Sequence, residues 1–217
     1  MDKMLISLEH MINTYDLNIR GVIHIGAHYG QEYELYRKYG IRNMLFFEPV
    51  KDNYKELVKH LPKNDIYIKT YNLALGNKIG TGTMYIEKVK GQSCSLLAPK
   101  THLELSPHII FTDKELVKIT KLDNIKFNRN RFNMINIDVQ GYELEVFRGS
   151  VETLKHIDII YSEVNFEEVY ENCCRIEQLD EFLNGFGFIR VLTKDSRLRR
   201  DRMSWGDALY LRNGRIN

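Results

Sequence analysis

The feature that most limits what this chain can fold into lies between residues 21 and 49. Gly21-Val22-Ile23-His24-Ile25-Gly26-Ala27-His28-Tyr29-Gly30 passes from an apolar run into a glycine turn. A helical stretch follows, and then Met44-Leu45-Phe46-Phe47-Glu48-Pro49, a second apolar run ending in a carboxylate. The order strand, glycine turn, helix, strand makes a parallel pair with its crossover helix. Gly26 and Gly30 allow backbone to approach a ligand closely, because glycine has no Cβ. Glu48, about twenty residues beyond the turn, is placed to accept hydrogen bonds from both hydroxyls of a ribose. The turn reads G-x-x-x-G and lacks the G-x-G-x-x-G spacing of dinucleotide-binding folds, which disfavours a dehydrogenase.

The alternation continues along the chain. Met4, Leu5, Leu8, Met11 and Ile12 recur at helical spacing and predict a helix over 3–15. Strands are expected at 21–26, 43–48 and 66–70, with helices at 30–39 and 51–61 and Gly40 as a stop. Residues 80–120 break the pattern. Thr81, Thr83, Tyr85 and Ile86 suggest an extra strand, Ser93 to Leu97 and Ser106-Pro107 irregular backbone, and 116–120 another extended piece. This stretch reads as an insertion on the substrate side of the sheet, where loops carry recognition. The alternation resumes with a strand at 132–138, a helix at 142–155 broken near Gly149, a buried strand at 157–164, a helix at 175–184, and strands at 188–192 and 207–212. The expected architecture is α/β: a Rossmann-like, mostly parallel seven-stranded sheet with helices on both faces, in one domain over 1–217. In such sheets ligands lie beyond the carboxyl ends of the strands, where strand order reverses. Gly26, Glu48 and Asp138 all fall at such ends.

Bulk properties remove several function classes. A chain of 217 residues with 43% hydrophobic and 28% charged residues has the make-up of an ordinary globular domain. A net charge of +2 argues against a strongly electrostatic nucleic-acid binder, Arg197 to Arg202 being the one basic run, read as a solvated loop or a phosphate contact. Cys94, Cys173 and Cys174 give no disulfide framework and no metal spacing, which suits a reducing compartment. No apolar run reaches the roughly 20 residues a membrane span needs, and residues 1–20 hold no signal-peptide core. A cytoplasmic protein is expected.

The second informative stretch is Met134-Ile135-Asn136-Ile137-Asp138-Val139-Gln140-Gly141-Tyr142-Glu143, continuing to Gly149. A hydrophobic strand delivers Asp138 to its tip, Gly141 permits a turn, and Glu143 starts a helix where the macrodipole favours an anion. This segment resembles the I-D-V-E-G-x-E-x-x-V-x-x-G signature of the FkbM family of methyltransferases, with Gln140 in place of the Glu commonly seen. The G-x-x-x-G turn resembles the S-adenosylmethionine (SAM) turn of class I methyltransferases. Phe47-Glu48-Pro49, Asn72-x-Ala74-x-Gly76 and Ser93-x-Ser95-Leu96 are similar to that family too, and the likeness covers about 20 to 212. His24 and His28 stand where the family's first turn carries an acid or an amide.

The resemblance implies a SAM-dependent O-methyltransferase, with S-adenosylhomocysteine as product and a hydroxyl of a small molecule or carbohydrate as acceptor. Gly26, Ala27 and Gly30 would lie under the methionine portion of SAM, or form only a tight corner. His28 is a candidate near the SAM carboxylate. Glu48, followed by Pro49, would hold the ribose, and Asn72 and Ala74 would border the adenine. Asp138 is the candidate nearest the methyl, as general base or as electrostatic partner of the sulfonium, with a helix N-cap as the structural alternative. Glu143 is the competing carboxylate, orienting substrate or backbone. His24, inside an apolar strand, reads as a core histidine. His102 and His108 fit no metal motif, and no metal is assigned. Glu163 could face the acceptor, and Trp205 could be a substrate-side aromatic or a lid anchor. Two other readings stay open: a non-catalytic SAM-fold binding module, and an RNA ribose methyltransferase. The place of the N/D-P-P-Y/F/W tetrapeptide of amine methylation is taken by Asp138-Val139-Gln140-Gly141, against a base-flipping enzyme.

Overall fold

The computed structural model describes residues 4–87, 93–101, 111–195 and 204–214. Its main sheet comprises β1 (Gly21–Ile25), β2 (Asn43–Phe47), β3 (Ile68–Tyr71), β7 (Met134–Ile137), β8 (Ile159–Asn165), β9 (Phe188–Asp195) and β10 (Trp205–Arg212). Their order across the sheet is β3-β2-β1-β7-β8-β10-β9. The pairs β1 to β2, β2 to β3, β1 to β7 and β7 to β8 are parallel, and β10 runs antiparallel to β8 and β9. The chain moves outward from β1 through β2 to β3, then returns to the other side of β1 with β7. The order therefore reverses between β1 and β7, and the crevice beyond their carboxyl ends is the expected ligand position.

The strands are apolar on both faces because both faces are covered. One face carries Ile23, Ile25, Leu45, Phe47, Ile135, Ile137 and Ile160 under α4 (Glu143–Arg148), α5 (Val151–Leu154) and α6 (Ile176–Asn184). The other carries Val22, Met44, Phe46, Met134, Ile159 and Leu209 under α1 (Leu8–Tyr15), α2 (Tyr33–Lys38) and α3 (Lys51–His60). The predicted seven-stranded, mostly parallel sheet is what the chain forms.

Three details sharpen or correct the expected bounds. The first helix begins at Leu8, where the Ser7 side chain accepts from the His10 N–H, so residues 4–7 precede it as a strap. The helix expected at 142–155 with a break near Gly149 is two helices, in agreement with that reading. Their break falls at Gly149, where a Cβ would stand 2.0 Å from the Gly76 carbonyl oxygen, so the close approach of another chain segment selects the glycine. The insertion is a small sheet of its own, in the order β4-β6-β5: β4 (Ala74–Leu75) lies parallel to β6 (Phe111–Thr120), and β5 (Gly80–Glu87) antiparallel to it. Val50, Ala74, Met84, Val117 and Ile119 form its core. His102, His108, Ser106-Pro107 and the basic run from Arg197 to Arg202 lie outside the described residues.

Candidate active site

The turn after β1 is tied to the next strand. The N–H groups of Gly26 and Ala27 both donate to the Phe47 carbonyl, at 2.9 and 3.0 Å, and the Asp138 N–H donates to the Ile25 carbonyl at 3.0 Å. These bonds gather the tips of β1, β2 and β7. Gly26 takes φ of 81°, and a Cβ there would sit 1.8 Å from the Asp138 carbonyl oxygen. His28 is also left-handed, at φ of 48°. That conformation aims its N–H at Glu48 Oε2, 2.8 Å away, while Glu48 Oε1 accepts from the Val50 N–H at 2.9 Å. The Glu48 carboxylate is thus buried at the end of β2 and fixed by two backbone donors. A carboxylate oxygen accepts more than one hydrogen bond, so the same group can also take ribose hydroxyls.

A cavity opens at this point. Gly26, His28, Glu48 and Pro49 line it from the first two strand tips, and Leu73, Ala74 and Leu75 from the segment after β3. Met84 and Leu96 close it from the insertion, and Asp138, Val139, Gln140 and Tyr142 from the turn after β7. An apolar slot with a few fixed polar groups is the usual make-up of a cofactor site.

Three residues expected at the cofactor, Ala27, Gly30 and Asn72, and the catalytic candidate Glu143 do not line this cavity. Ala27 is buried in the core on the α1 face. Gly30, at φ of 72°, packs against helix α3, where a Cβ would stand 2.6 Å from Leu57 Cδ1. The Asn72 amide donates to the carbonyls of Glu48 and Pro49, both at 2.9 Å, so it pins the loop after β2 and leaves the cavity wall to Leu73 and Ala74. Glu143 lies beneath the turn after β7: its Oε1 accepts from the Val139 and Gly141 N–H groups, each at 3.1 Å. It orients backbone. Burial, with Asp138 nearby, pushes its carboxyl up to about 7 against the pull of those bonds. His24 is a core histidine, its Nδ1 3.3 Å from the Tyr36 hydroxyl, which also receives the Asn136 amide at 2.6 Å.

The turn after β7 brings two carboxylates together. Gln140 stands at φ of 55° and Gly141 at 95°. A Cβ on Gly141 would meet Cys173 Cβ at 2.6 Å. The Gln140 side chain is used completely. Its Nε2 donates to Asp138 Oδ1 at 2.7 Å and to Glu163, whose two oxygens both lie 3.0 Å away. Its Oε1 accepts from the Tyr170 hydroxyl at 2.6 Å, and its carbonyl accepts from Ser95 Oγ at 2.8 Å. One neutral amide therefore holds two carboxylates near each other. Gln140 was visible in the sequence only as a departure from the family signature, and its bond to Glu163 spans 23 residues. Trp205 opens β10, opposite Asn165.

Comparison with known proteins fits this geometry. The family model described as "Methyltransferase FkbM domain" matches residues 24–190. No curated protein matches the chain. Among solved structures, a protein from Listeria monocytogenes assigned as an S-adenosylmethionine-dependent methyltransferase aligns with a TM-score of 0.55 at 8% identity, over 94% of this chain and 97% of that one. An S-adenosylmethionine-dependent methyltransferase from Clostridium acetobutylicum gives 0.53 at 7% identity, over 94% and 89%. The magnesium protoporphyrin IX methyltransferase of Synechocystis PCC 6803, solved with bound SAM, gives 0.50 at 9%, over 88% and 69%. At such identities the likeness shows the fold.

Proposed function

This chain belongs to the FkbM family of SAM-dependent methyltransferases, and from that premise we propose that it methylates the oxygen of a hydroxyl on a small molecule or carbohydrate. The observation that carries the site assignment is the convergence of Gly26, Glu48 and Asp138, which are far apart in sequence, on one cavity at the reversal of strand order. Glu48 would hold the ribose, the apolar walls from Leu73 to Leu75 and Val139 would flank the adenine, and the turn at Gly26 and His28 would face the methionine portion. The donor set suits a nucleoside: a fixed buried carboxylate at one place and apolar surface around it.

When bound, SAM supplies a methyl group already activated by its sulfonium. The chain's own contribution is to exclude water, to align the acceptor, and to manage one proton. With SAM bound as methyl donor and its sulfur as leaving group, the proton of the acceptor hydroxyl would pass to a carboxylate of this chain. Asp138, in the cavity wall with Oδ1 held by Gln140, is assigned that role. We read the chain as one catalytic domain with residues 80–120 on the substrate side. A cytoplasmic setting accords with its free thiols, and among the described residues no helix is long and apolar enough to cross a membrane.

The test is to incubate the purified protein with isotopically methyl-labelled SAM and a panel of alcohols, phenols, glycosides, amines and RNA, and to locate the label by mass spectrometry. Label on oxygen of a non-nucleic-acid acceptor is the expected result. Label on nitrogen or on RNA ribose overturns the proposal, and SAM bound without any transfer points to a binding module.

A further inference from the structure

Asn165 ends β8 with 1% of its surface exposed, yet neither its Oδ1 nor its Nδ2 has a hydrogen-bond partner among the described residues. Its backbone is engaged, in a bridge to Arg175 and in the ladder to β10. The side-chain amide alone is left over. Native structures hold few such groups, because a buried donor or acceptor that meets nothing costs stability.

The neighbours of this amide say what it could meet. The register between β8 and β10 is unbroken from Ile159 to Asn165, so side chains alternate and Tyr161, Glu163 and Asn165 share a face. Trp205 stands directly across the ladder from Asn165, and Asp207 across from Glu163. Directly opposite residues carry their side chains on the same face. Glu163 in turn meets Gln140 Nε2, the nitrogen that also holds Asp138. A row thus runs from the cavity through Gln140 and Glu163 to Asn165 and the half-buried Trp205.

The row offers a carboxylate that accepts, an amide that both donates and accepts, and an indole face. A ring bearing several hydroxyls matches all three: each hydroxyl gives one hydrogen and takes another, and the C–H face of the ring covers an aromatic. An anionic acceptor would meet the carboxylates of Asp138 and Glu163. A purely apolar one would leave the Asn165 amide unmet.

We propose that Glu163, Asn165 and Trp205 form the acceptor subsite, that it takes a polyhydroxylated ring, and that Asn165 is its specificity-determining residue. The inference rests on the O-methyltransferase reading above. It is tested on the full chain saturated with S-adenosylhomocysteine, with methyl gluco-, galacto- and mannopyranoside and cyclohexanol as probes. Binding is followed by saturation-transfer NMR, methyl transfer by mass spectrometry with SAM, and melting by calorimetry, for the natural chain and for Asn165→Leu and Asn165→Asp.

At least one hexoside is expected to bind. Asn165→Leu should weaken it tenfold or more, Asn165→Asp should weaken it less, and S-adenosylhomocysteine affinity should stay constant. Melting of Asn165→Leu should be unchanged or higher, since an unmet amide has been removed. Three results overturn the subsite: no hexoside binds, hexoside affinity is the same in Asn165→Leu, or that variant melts lower with binding intact, which marks an amide satisfied by buried water only. If cyclohexanol is O-methylated while no hexoside binds, the subsite falls and the O-methyltransferase reading stands. If hexosides bind through Asn165 but methyl goes to another kind of atom, the subsite stands and that reading falls.

Discussion

Gly26 and Asp138 touch through their main chains. A Cβ placed on Gly26 would lie 1.8 Å from the Asp138 carbonyl oxygen and 2.9 Å from its carbon. The tips of β1 and β7 are joined there by backbone contact, with the Asp138 N–H donating to Ile25 at 3.0 Å. The glycine that opens the first turn is thus demanded by the strand carrying the proposed base, which couples the cofactor side of the site to the acceptor side. Gly26→Ala must force these tips apart and also hold an alanine at positive φ, which alone costs about 1–2 kcal/mol. The expected result is a loss of at least about 2 kcal/mol, or a melting temperature lower by about 4–8 °C for a chain of this size, with SAM binding weakened in parallel. An unchanged calorimetric melt would show that the strand tips tolerate separation.

Glu48 has a structural role beside the ligand role proposed for it. Its carboxylate receives the His28 and Val50 N–H groups, so Glu48→Ala strands two backbone donors besides removing the proposed ribose contact. Leaving buried donors unmet costs about 1–3 kcal/mol each. A tenfold or greater loss of S-adenosylhomocysteine affinity by titration calorimetry is expected together with a melting temperature several degrees lower. Reading the sequence alone suggests an affinity loss with the fold untouched. A variant that binds normally would remove Glu48 from the pocket.

How far the sequence could be read depends on the range of the interactions involved. The strand–turn–helix–strand unit and the Asp138 turn were legible because their signals are local: apolar runs, glycine turns and helical spacing. The small sheet was legible only in its extended pieces at 81–86 and 116–120, since β4 has two residues and exists only through pairing of Ala74 with Ile119 and Leu75 with Thr120. Gly30 shows a second limit. A missing Cβ tells that something is close, and here the neighbour is Leu57, not a ligand. Asn72 shows a third, because a turn asparagine at the right place spends its amide on two carbonyls of the loop after β2. The bond from Gln140 to Glu163, and the unmet amide of Asn165, have no sequence signal at all.

Asp138 separates catalysis from packing. In Asp138→Asn an amide oxygen can still accept from Gln140 Nε2, which lies 2.7 Å from Oδ1 in the natural chain, so the turn keeps its shape. What would be lost, on the role proposed for Asp138, is the capacity to take a proton and the negative charge beside the reacting methyl. General-base contributions run to about 10²–10⁴-fold. Single-turnover methyl transfer should therefore slow at least a hundredfold, with the melting temperature nearly unchanged. Full activity in Asp138→Asn would hand the proton to another group, and Glu163, held by the same amide, is the next carboxylate to substitute.

Glu143 gives the fold a pH dependence whose sign is set by burial. Its carboxyl is raised from 4.5 to about 7, chiefly by burial, although Oε1 accepts from two N–H groups. Between those values the folded chain keeps a proton that the unfolded chain has released, so stability falls as pH rises through this window. The contribution is fully favourable below 4.5 and fully lost above about 7. At 1.36 kcal/mol per unit the whole swing is at most about 3 kcal/mol. Glu143→Gln keeps an oxygen for the Val139 and Gly141 donors and cannot ionise. The variant should melt close to the natural protein at pH 5 and several degrees above it at pH 8, where the natural chain carries a buried charge. Melting curves taken at unit steps from pH 5 to 8 decide the matter, because a difference that does not change with pH would mean that Glu143 is not the group being titrated.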